Sequence, residues 1–486
     1  MAMWVRLPPS APFFIPAMQK ELVIIGSGPG GYTAALLAAD KGISVTLIDQ
    51  DALLGGVCLN RGCIPTKALI HIARTMTSAK EMGPLGVHFN APDINISTIR
   101  EFKTNVVSKL TAGLDQLVKQ RKIEFIQGRA SFISSNGLTV TRPDGSHEEI
   151  SFKKAVLATG SAPTGLPFAP ASDKIWDSSA ALDLRCIPEK LLVIGGGYIG
   201  MEFATVYQAL GSRVTVVEMT PALVPGADRD LSMLLQKRAK MLLSDIRLNT
   251  KVLNIEKTDQ GLCVTFENSK HETSTDTFDN ILIAIGRKNL FDGLGLENTQ
   301  VKKTEDGHCL EVNPQRQTTD PNIYAIGDIT GQPMLAHKAS AEARVAVEAV
   351  AGEKTAFEPR AIPSVVFTDP ELAWCGVTEN EAKERNLDVI ISKFPWAASG
   401  RAATLGGSDG LTKIIADART RRIIGMAIAG PDAGELIAEG ALAVETGVTA
   451  QDLARTIHPH PTLSETIMEA AEGLFGSPMH IYKKRV

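Results

Sequence analysis

Two closely spaced cysteines, Cys58 and Cys63 in the segment GGVCLNRGCIPTK, are the residues best suited to chemistry in this sequence. Four residues separate them, which leaves enough chain for a strained local disulfide. A helix is predicted to start near Pro65, because proline suits a first helical turn. Cys63 would then lie at a helix N-terminus, where the helix dipole favours a thiolate and lowers the thiol pKa. The pair therefore predicts redox chemistry.

Two other interpretations of the cysteine pair are open at this point. Structural zinc needs four ligands, usually with a second cysteine knuckle, and His308 beside Cys309 stands alone in the sequence. Inert buried thiols are the default for isolated cysteines, and Cys186, Cys263, Cys309 and Cys375 are assigned to that class. No metal site is predicted.

The cysteine pair follows the first copy of an internal repeat. Residues 26–49 read GSGPGGYTAALLAADKGISVTLID, and residues 195–218 read GGGYIGMEFATVYQALGSRVTVVE, with no gap between the two copies when aligned. Each copy follows an apolar run that is typical of a buried parallel strand. A small-residue helix follows, then a second strand that ends in an acid, Asp49 or Glu218. In this context the glycine pattern predicts two dinucleotide-binding units.

The physical basis of that prediction is simple. Missing side chains let the backbone approach a pyrophosphate, and the helix N-terminus offers unpaired N–H groups with partial positive charge. The acid accepts hydrogen bonds from ribose hydroxyls. Glu218 is followed by uncharged Met219, and a carboxylate repels the 2′-phosphate of NADP, so the second unit favours NAD. Arg213 and Arg229 lie nearby in sequence and leave this preference open.

Composition excludes several classes of protein. The chain has 486 residues, of which 44% are hydrophobic and 21% charged, as in a multi-domain globular enzyme. A net charge of −4 without a long basic run argues against nucleic acid as a partner. No stretch approaches the roughly 20 apolar residues of a membrane span. Six cysteines are too few for a secreted disulfide scaffold, so a cytoplasmic location is expected.

The first residues of the chain are apolar but interrupted by four prolines, with a single arginine, which makes a poor signal or transit peptide. We expect residues 1–17 to be an N-terminal extension, disordered or derived from a misassigned start. The folded part is expected to open at Met18.

With these motifs the sequence resembles the pyridine nucleotide–disulfide oxidoreductase family, from Met18 to about Gly476. The most specific segments are GGVCLNRGCIPTKAL, GGGYIGME, YAIGDITGQPMLAHKA, IPSVVFTDPELAWCG, AGPDAGELIAE and HPHPTLSE. The resemblance implies an α/β fold with two Rossmann-like domains, for FAD and for NAD, and a C-terminal α+β interface domain. The expected domains are residues 18–164 and 288–360 for FAD, 165–287 for NAD, and 361–486 for dimerisation.

The resemblance assigns residues to each cofactor. Those expected at FAD are Gly26, Gly28, Gly30, Gly31, Asp49, Gly56, Val57, Cys58, Lys67, Ala130, Thr159, Gly160, Ser161, Asp328, Met334, Leu335, Ala336 and His337. Those expected at NAD are Gly195, Gly197, Tyr198, Ile199, Gly200, Glu202, Glu218, Val252 and Gly286. Two positions depart from the family's usual residues. Ala130 stands where relatives often have Gly, and Asp49 where most have Glu, although the shorter acid is expected to reach the ribose.

The catalytic groups are likewise implied by the resemblance. Cys58 and Cys63 form the redox-active pair, with Cys63 nearer the flavin. Lys67 lies beside the isoalloxazine and is expected to pair with Glu202 near the reactive flavin nitrogen.

The segment HPHPTLSE supplies the acid–base group. The motif makes His460 the acid–base and Glu465 its orienting carboxylate, whereas His458 lacks that role. Without the family, His460 has even odds of being a structural histidine. In the family this histidine reaches the cysteines of the other subunit, which implies an obligate homodimer with shared active sites.

Within the family, the sequence is most similar to the enzymes that oxidise dihydrolipoamide to lipoamide with NAD⁺ as the acceptor. The implied route has His460 deprotonate a dihydrolipoyl thiol, which attacks Cys58. Cys63 then passes the electrons to FAD, and hydride moves to NAD⁺. The implied partners are the lipoyl domains and peripheral-subunit-binding domain of 2-oxo acid dehydrogenase complexes, with glycine cleavage as a further setting.

Two other functions are alternatives to the oxidation of dihydrolipoamide. Among other NAD(P)H-dependent disulfide reductases, glutathione reductase-like enzymes favour NADP and carry Lys where Thr66 stands. Mercuric reductase-like enzymes need C-terminal cysteines, which the segment after His460 lacks, and soluble transhydrogenases lack the intact pair. The second alternative is a non-catalytic nucleotide-binding scaffold.

Overall fold

The computed structural model describes residues 19–406, 409–476 and 478–481, so the predicted extension of residues 1–17 lies outside the described residues. Within these ranges the chain separates into two compact units. The first unit comprises residues 19–56, 112–160 and 289–357. The second comprises residues 57–111, 161–288 and those from 358 onward.

The secondary structure of the described residues alternates helices and strands. The helices are α1 (Pro29–Asp40), α2 (Gly56–Arg61), α3 (Cys63–Glu81), α4 (Ile96–Gln120), α5 (Ser178–Leu182), α6 (Tyr198–Ala209), α7 (Arg229–Leu242), α8 (Ala336–Val350), α9 (Glu379–Glu384), α10 (Gly400–Thr404), α11 (Ala433–Thr446), α12 (Ala450–Arg455) and α13 (Glu465–Glu472). The strands are β1 (Lys20–Ile25), β2 (Val45–Asp49), β3 (Glu124–Gln127), β4 (Arg129–Ser134), β5 (Gly137–Thr141), β6 (His147–Leu157), β7 (Ser161–Pro163), β8 (Ile175–Trp176), β9 (Lys190–Ile194), β10 (Arg213–Val217), β11 (Asp245–Arg247), β12 (Thr250–Thr258), β13 (Gly261–Asn268), β14 (Thr273–Phe278), β15 (Asn280–Ile283), β16 (Arg287–Asn289), β17 (Ile323–Ala325), β18 (Ser364–Val366), β19 (Glu371–Gly376), β20 (Val389–Pro395), β21 (Leu411–Asp417) and β22 (Ile423–Gly430). Short 3-10 helices span Gly83–Leu85, Leu296–Asn298, Gly327–Thr330, Trp396–Ala398 and Gly473–Phe475.

The first unit is built around the apolar strand of the first repeat. β1 pairs in parallel with both β2 and β6, and β2 pairs in parallel with β3. β17 also pairs in parallel with β6, whereas β5 and β4 continue the sheet in antiparallel fashion. Leu22, Val23 and Ile24 of β1 are fully buried, as expected of a strand covered on both faces. The strand–helix–strand unit predicted from residues 26–49 is therefore confirmed.

The second unit repeats this plan around β9. Its parallel sheet has the strand order β11-β10-β9-β15-β8, and α6 connects β9 to β10. Leu191, Leu192 and Val193 of β9 are fully buried. A separate antiparallel sheet of β12, β13 and β14 follows in sequence. The second predicted dinucleotide unit, residues 195–218, is confirmed as a strand–helix–strand element.

Residues 57–111, which the prediction assigns to the FAD domain, share their contacts with the second compact unit, and their assignment to the FAD domain stays a prediction. The physical reason lies in α3, where Leu69, Ile70 and Ala73 share a buried core with residues of β9 and α6, including Leu191 and Val206. The other boundaries between the two units, after residues 160, 288 and 357, lie within four residues of the predicted domain boundaries.

The C-terminal part of the second unit is an antiparallel sheet with helices against it. Its strand order is β18-β19-β22-β21-β20, and α11 contacts both β19 and β22. The adjacent antiparallel strands predicted from LTKIIAD and RRIIGMAIAG are β21 and β22, so that prediction is confirmed. The segment that carries His460 and Glu465 lies between α12 and the first residue of α13.

Candidate active site

The first glycine-rich loop joins β1 to α1 and is tightly packed except at one point. A Cβ added at Gly26, where φ is +101°, would lie 2.3 Å from the carbonyl oxygen of Ala158, and one at Gly31 would lie 1.7 Å from that of Gly26. A Cβ added at Gly28 would meet nothing within 4 Å, and Gly28 caps α1 without a side-chain hydrogen bond. The loop thus presents bare backbone at a helix N-terminus, which fits the pyrophosphate of a dinucleotide.

The second loop, between β9 and α6, has the same geometry. A Cβ added at Gly195 would lie 2.4 Å from the carbonyl oxygen of Ala284, and one at Gly200 would lie 1.9 Å from that of Gly195. Gly197 again faces open space and caps its helix through backbone alone. Both repeats therefore offer the same kind of anion-binding cradle.

The acid that ends each repeat is held by its own loop. Asp49 accepts hydrogen bonds from the Ser27 amide at 2.6 Å and from the Asp51 amide at 2.9 Å. Glu218 accepts equivalent bonds from the Gly196 amide at 2.7 Å and the Thr220 amide at 2.8 Å. The shorter side chain of Asp49 thus makes the same two backbone contacts as Glu218.

The surroundings of Glu218 bear on the choice between NAD and NADP. Arg213 lies at the opposite end of β10 from Glu218 and pairs with Glu189. Arg247 pairs with Asp245 at 2.7 Å and with Asp276 at 2.9 Å. Met219, directly after Glu218, is 67% exposed and uncharged. A carboxylate at this position favours a ribose with a free 2′-hydroxyl, as in NAD.

The cysteine pair lies where two helices meet in sequence. Cys58 belongs to α2, and Cys63 is the first residue of α3, which places it at a helix N-terminus as predicted. Both residues are thiols in this structure, with Cys58 half-buried and Cys63 exposed. Their side chains are hydrogen bonded to each other.

The two thiols differ strongly in acidity because of that bond. The hydrogen bond from Cys58, aided by the nearby Lys67 ammonium, outweighs the partial desolvation of the sulfur and lowers the pKa of Cys63 from 9.0 to about 7. The same hydrogen bond, together with burial, raises the pKa of Cys58 above its ordinary value. The N-terminus of α3 also favours a thiolate at Cys63. In the reduced pair, Cys63 is the more acidic of the two thiols and Cys58 the less acidic.

One turn after Cys63, Lys67 makes the ion pair that the resemblance implied. Its ammonium nitrogen lies 2.9 Å from both carboxylate oxygens of Glu202 on α6. Glu202 is nearly fully buried, and it also accepts a hydrogen bond from the Phe367 amide at 3.1 Å. The Lys67 ammonium lies 4.4 Å from the centre of the Phe367 ring. Three segments of the second unit thus converge on this charge pair.

His460 and Glu465 are joined as the resemblance implied. His460 Nδ1 lies 2.8 Å from a carboxylate oxygen of Glu465, and the His460 side chain is 79% exposed. Although desolvation raises it, the pKa of Glu465 is lowered overall by the Thr462 amide, at 2.8 Å, and by His460. The carboxylate therefore stays ionised and orients the imidazole, leaving Nε2 directed away from Glu465.

The neighbouring histidine is held differently. His458 is almost fully buried, with Nε2 2.8 Å from Glu439 and Nδ1 2.9 Å from the Thr456 carbonyl oxygen. Both of its ring nitrogens are engaged within the chain. This environment fits a structural role for His458.

The other residues predicted at FAD are divided between the two compact units. In the first unit, Gly56 approaches Gly28 so closely that an added Cβ would lie 2.6 Å from the Gly28 Cα, and a Cβ at Gly30 would meet Ile326 and Ala339. The other predicted positions of that unit are Ala130, buried in β4; Thr159, whose hydroxyl donates to the Leu290 carbonyl at 2.5 Å; Gly160, which accepts from the Leu290 amide; Asp328, in the 3-10 helix Gly327–Thr330; Met334 and Leu335, which precede α8; and Ala336 and His337, which begin it. In the second unit, Val57 lies in α2, and the Ser161 hydroxyl accepts a hydrogen bond from Arg287 at 2.7 Å.

The other residues predicted at NAD all belong to the second unit. Tyr198 and Ile199 form the first turn of α6, directly after Gly197, and Tyr198 is exposed. Val252 lies in β12. Gly286 follows β15 and accepts a hydrogen bond from the Thr164 amide at 3.0 Å.

Three carboxylates lie as close together as the ligands of a metal ion would, but they pair with lysine side chains. Asp228, Asp230 and Glu379 lie close together, and the ammonium of the fully buried Lys413 contacts all three, at 2.5 to 3.2 Å. Lys393 adds a second ammonium, 2.7 Å from Asp230. The cluster is an ion-pair network.

Phe367 is a site residue that the sequence did not single out. It lies within IPSVVFTDPELAWCG, one of the family-specific segments, but 165 positions from Glu202 in sequence. Ser27 was also missed: its hydroxyl donates to Asp49 at 2.6 Å, a contact that Gly196, its counterpart in the second repeat, cannot make.

Helices in the described ranges are all too short or too polar to cross a lipid bilayer.

Comparison with known proteins agrees with this geometry. Residues 20–343 match the model of the pyridine nucleotide-disulphide oxidoreductase family, and residues 362–471 match the family's dimerisation domain. A chain with two nucleotide cradles, a cysteine pair and this C-terminal domain defines a disulfide oxidoreductase with two Rossmann-like domains. The protein belongs to the pyridine nucleotide-disulphide oxidoreductase family.

Its relatives carry a more specific name. It is 46% identical to the dihydrolipoyl dehydrogenase of Buchnera aphidicola over 95% of this chain and 96% of that protein. It is 44% identical to the dihydrolipoyl dehydrogenase of Vibrio parahaemolyticus over 96% of this chain and 98% of that protein. Its structure is similar to the crystal structure of LpdA from Mycobacterium tuberculosis, with a TM-score of 0.86 and 30% identity over 94% of this chain and 99% of that one.

Proposed function

We propose that this protein is an enzyme that oxidises dihydrolipoyl groups to the cyclic disulfide and reduces NAD⁺ to NADH. The observation that carries the proposal is the pair Cys58 and Cys63, two hydrogen-bonded thiols of unlike acidity beside the Lys67–Glu202 ion pair. The names and nearly full-length similarity of the relatives support the same activity.

The charges around the pair set the direction of disulfide exchange. In the oxidised enzyme the substrate thiolate attacks Cys58, a substrate–Cys58 bond forms, and the Cys58–Cys63 bond breaks with its electron pair going to Cys63. The sulfur whose thiolate is better stabilised is the better leaving group, and the Lys67 ammonium and the N-terminus of α3 both stabilise a thiolate at Cys63. Attack on Cys58 is therefore favoured over attack on Cys63.

The second half of the exchange releases the product. The remaining substrate thiolate attacks its own partner sulfur, which closes the cyclic disulfide and expels Cys58. Since the raised pKa of Cys58 makes its thiolate a poor leaving group, this sulfur must be protonated as it departs. The enzyme is left with a thiol at Cys58 and a thiolate at Cys63.

These proton movements require an acid–base group, and His460 of the partner subunit is proposed to supply it. It would take the proton of the first substrate thiol, return it to Cys58 as that sulfur departs, and take the proton of the second substrate thiol, which it then releases to solvent. The exposed imidazole, held through Nδ1 by the ionised Glu465, is suited to act across a subunit interface. The matching dimerisation domain supports a homodimer.

The family name implies pyridine nucleotide and flavin chemistry, and the residues present fit both dinucleotides. The Gly26–Gly31 loop and Asp49 would hold FAD, while the loop from Gly195 and Glu218 would hold NAD. Bound FAD supplies two-electron transfer between the reduced cysteine pair and NAD⁺. In that setting Lys67 provides a fixed positive charge, and buried Glu202 keeps it in place.

The partners proposed for the enzyme follow from its substrate. Protein-bound dihydrolipoyl groups are carried by lipoyl domains, so these are the proposed donors, with the peripheral-subunit-binding domain of 2-oxo acid dehydrogenase complexes as the docking partner. The reducing cytoplasm is the proposed compartment, because the pair must be free to cycle between thiol and disulfide.

Anaerobic reduction of the purified protein with dihydrolipoamide, followed by NAD⁺, tests the function directly. We expect a long-wavelength thiolate–flavin absorbance to appear on reduction and to disappear on addition of NAD⁺. Cys63→Ser is expected to retain bound flavin and lose dihydrolipoamide oxidation. Full turnover by this variant, or a colourless wild-type protein, would overturn the proposal and favour the scaffold alternative.

A further inference from the structure

We infer that Phe367 is a positioning residue that fixes the Lys67–Glu202 pair, and through it the charge that faces the Cys63 thiolate. The inference deepens the proposed function, because it concerns the same redox pair. It assigns a role to a residue outside the motifs used above for cofactors and catalysis.

Phe367 contacts both members of the pair, by different groups. Its backbone N–H donates to a carboxylate oxygen of Glu202 at 3.1 Å, and the same oxygen accepts from Lys67 at 2.9 Å. Its ring lies 4.4 Å from the Lys67 ammonium, within the range of a cation–π interaction. Glu202 and the ring thus hold the ammonium by complementary attractions.

Phe367 is itself held by the helix that carries the cysteine. Arg74, on α3 with Cys63 and Lys67, donates to the Thr368 carbonyl oxygen at 3.2 Å and pairs with Glu371 at 2.5 Å. Glu371 is buried and accepts a hydrogen bond from the Gly434 amide at 2.8 Å. The segment after β18 is therefore tied to α3 at one side of Phe367 and to α11 beyond it.

The ring is supported on the side of α11 as well. A Cβ added at Gly434 would come within 3.6 Å of the Phe367 ring and 2.9 Å of Val365. Phe367 also packs against the core that contains Leu69 and Ile70 of α3. These contacts leave the ring little freedom to follow a displaced lysine, so the ring defines where the ammonium sits.

The consequence reaches Cys63 through charge. Besides Cys58, the charged groups that influence Cys63 are Lys67, which favours its thiolate, and Glu202, which opposes it. An ammonium held between the carboxylate and the ring has one preferred position, and its attraction for the Cys63 thiolate depends on that position. Without the ring, Lys67 loses one of its two attractions and its time-averaged effect on Cys63 weakens.

Three substitutions separate this role from simple packing. Phe367→Leu removes the ring but keeps the backbone N–H that serves Glu202, and Phe367→Tyr restores an aromatic face. Phe291→Leu is the matched control, because it removes a ring that makes a similar contact with a lysine in the first unit, where Lys303 lies 4.3 Å from the ring centre. Should Phe367→Leu fail to fold, Phe367→Met removes the aromatic face with a flexible, unbranched side chain that adapts to the space left by the ring.

The readout is the protonation of Cys63 in holoenzyme reduced with dithiothreitol. It is followed against pH by long-wavelength absorbance and by site-resolved alkylation. We expect Phe367→Leu to raise the pKa of Cys63 by roughly 0.4 to 1 unit, the span that a cation–π contact of this kind allows. Phe367→Tyr and Phe291→Leu are expected to leave it unchanged, and Phe367→Leu is expected to add no shift in a Lys67→Met background.

An unchanged Cys63 titration in Phe367→Leu would overturn the inference. So would an equal shift in Phe367→Tyr, or a full shift that persists without Lys67, since either would make the ring a packing element only. Because the reductant is dithiothreitol, the test stands even if the protein fails to oxidise dihydrolipoamide. That failure would refute the proposed function alone.

Discussion

Replacing Cys58 with alanine is expected to make the Cys63 thiol much less acidic. The hydrogen bond from Cys58 is the largest influence that lowers the pKa of Cys63 from 9.0 to about 7. Lys67 and the N-terminus of α3 remain in the variant, so only part of this difference should be lost. We expect a rise of about one unit or more.

The matched control is Cys58→Ser, whose hydroxyl can still donate to the Cys63 sulfur. At pH 7, a thiol of pKa about 7 is about half thiolate, whereas one of pKa about 8 is roughly 10% thiolate. The assay is the rate of Cys63 alkylation against pH, which follows the thiolate fraction. Because the folded-state pKa of Cys63 is depressed, its thiolate is present above pH 7 and is lost as the pH falls through 7. If Cys58→Ala titrated like Cys58→Ser and the wild type, the hydrogen bond could not be the cause of the acidity.

Three further predictions concern other parts of the molecule. Glu465→Gln is expected to reduce dihydrolipoamide turnover roughly ten- to a hundredfold while NADH oxidation by an artificial acceptor persists, because His460 loses the carboxylate that orients it. Glu218→Ser combined with Met219→Arg is expected to raise the kcat/KM ratio of NADP⁺ to NAD⁺ by tenfold or more, measured by steady-state kinetics, and an unchanged ratio would refute the assignment of Glu218. Glu342→Ala is expected to lower the free energy of unfolding of the first unit in urea by about 3–5 kcal/mol, because it leaves the cations of Arg316 and Lys338 buried without their counterion. Glu348→Ala, nearer the end of the same helix, is the control.

Local features of the fold and site could be predicted from the sequence. The glycine spacing and the acids at 23 residues from the first glycine fixed two strand–helix–strand units, because such patterns depend on neighbours along the chain. The start of α3 at Cys63 was predictable for the same reason, since Pro65 marks a first helical turn.

Features that depend on distant segments could not be predicted in this way. Phe367 meets Glu202 only because β18 and α6 pack in one unit, and no spacing rule connects positions so far apart. Likewise, residues 57–111 follow the first repeat in sequence but share a core with the second. They do so through apolar residues of α3, and the sequence pattern does not show which core those residues enter. The Ser27 hydroxyl on Asp49 is a third case, because a hydroxyl beside a glycine carries no signal until its acceptor is known.

The carboxylates that end the two repeats are anchored by amides of their own loops, at 2.6 to 2.9 Å. The position of each carboxylate, on which nucleotide specificity depends, is thereby set by backbone N–H groups as well as by the acidic side chain itself. A redesigned enzyme that replaces either acid leaves two backbone N–H groups without their acceptor. A change of coenzyme preference made by substituting Glu218 is therefore expected to cost stability unless the loop is remodelled as well.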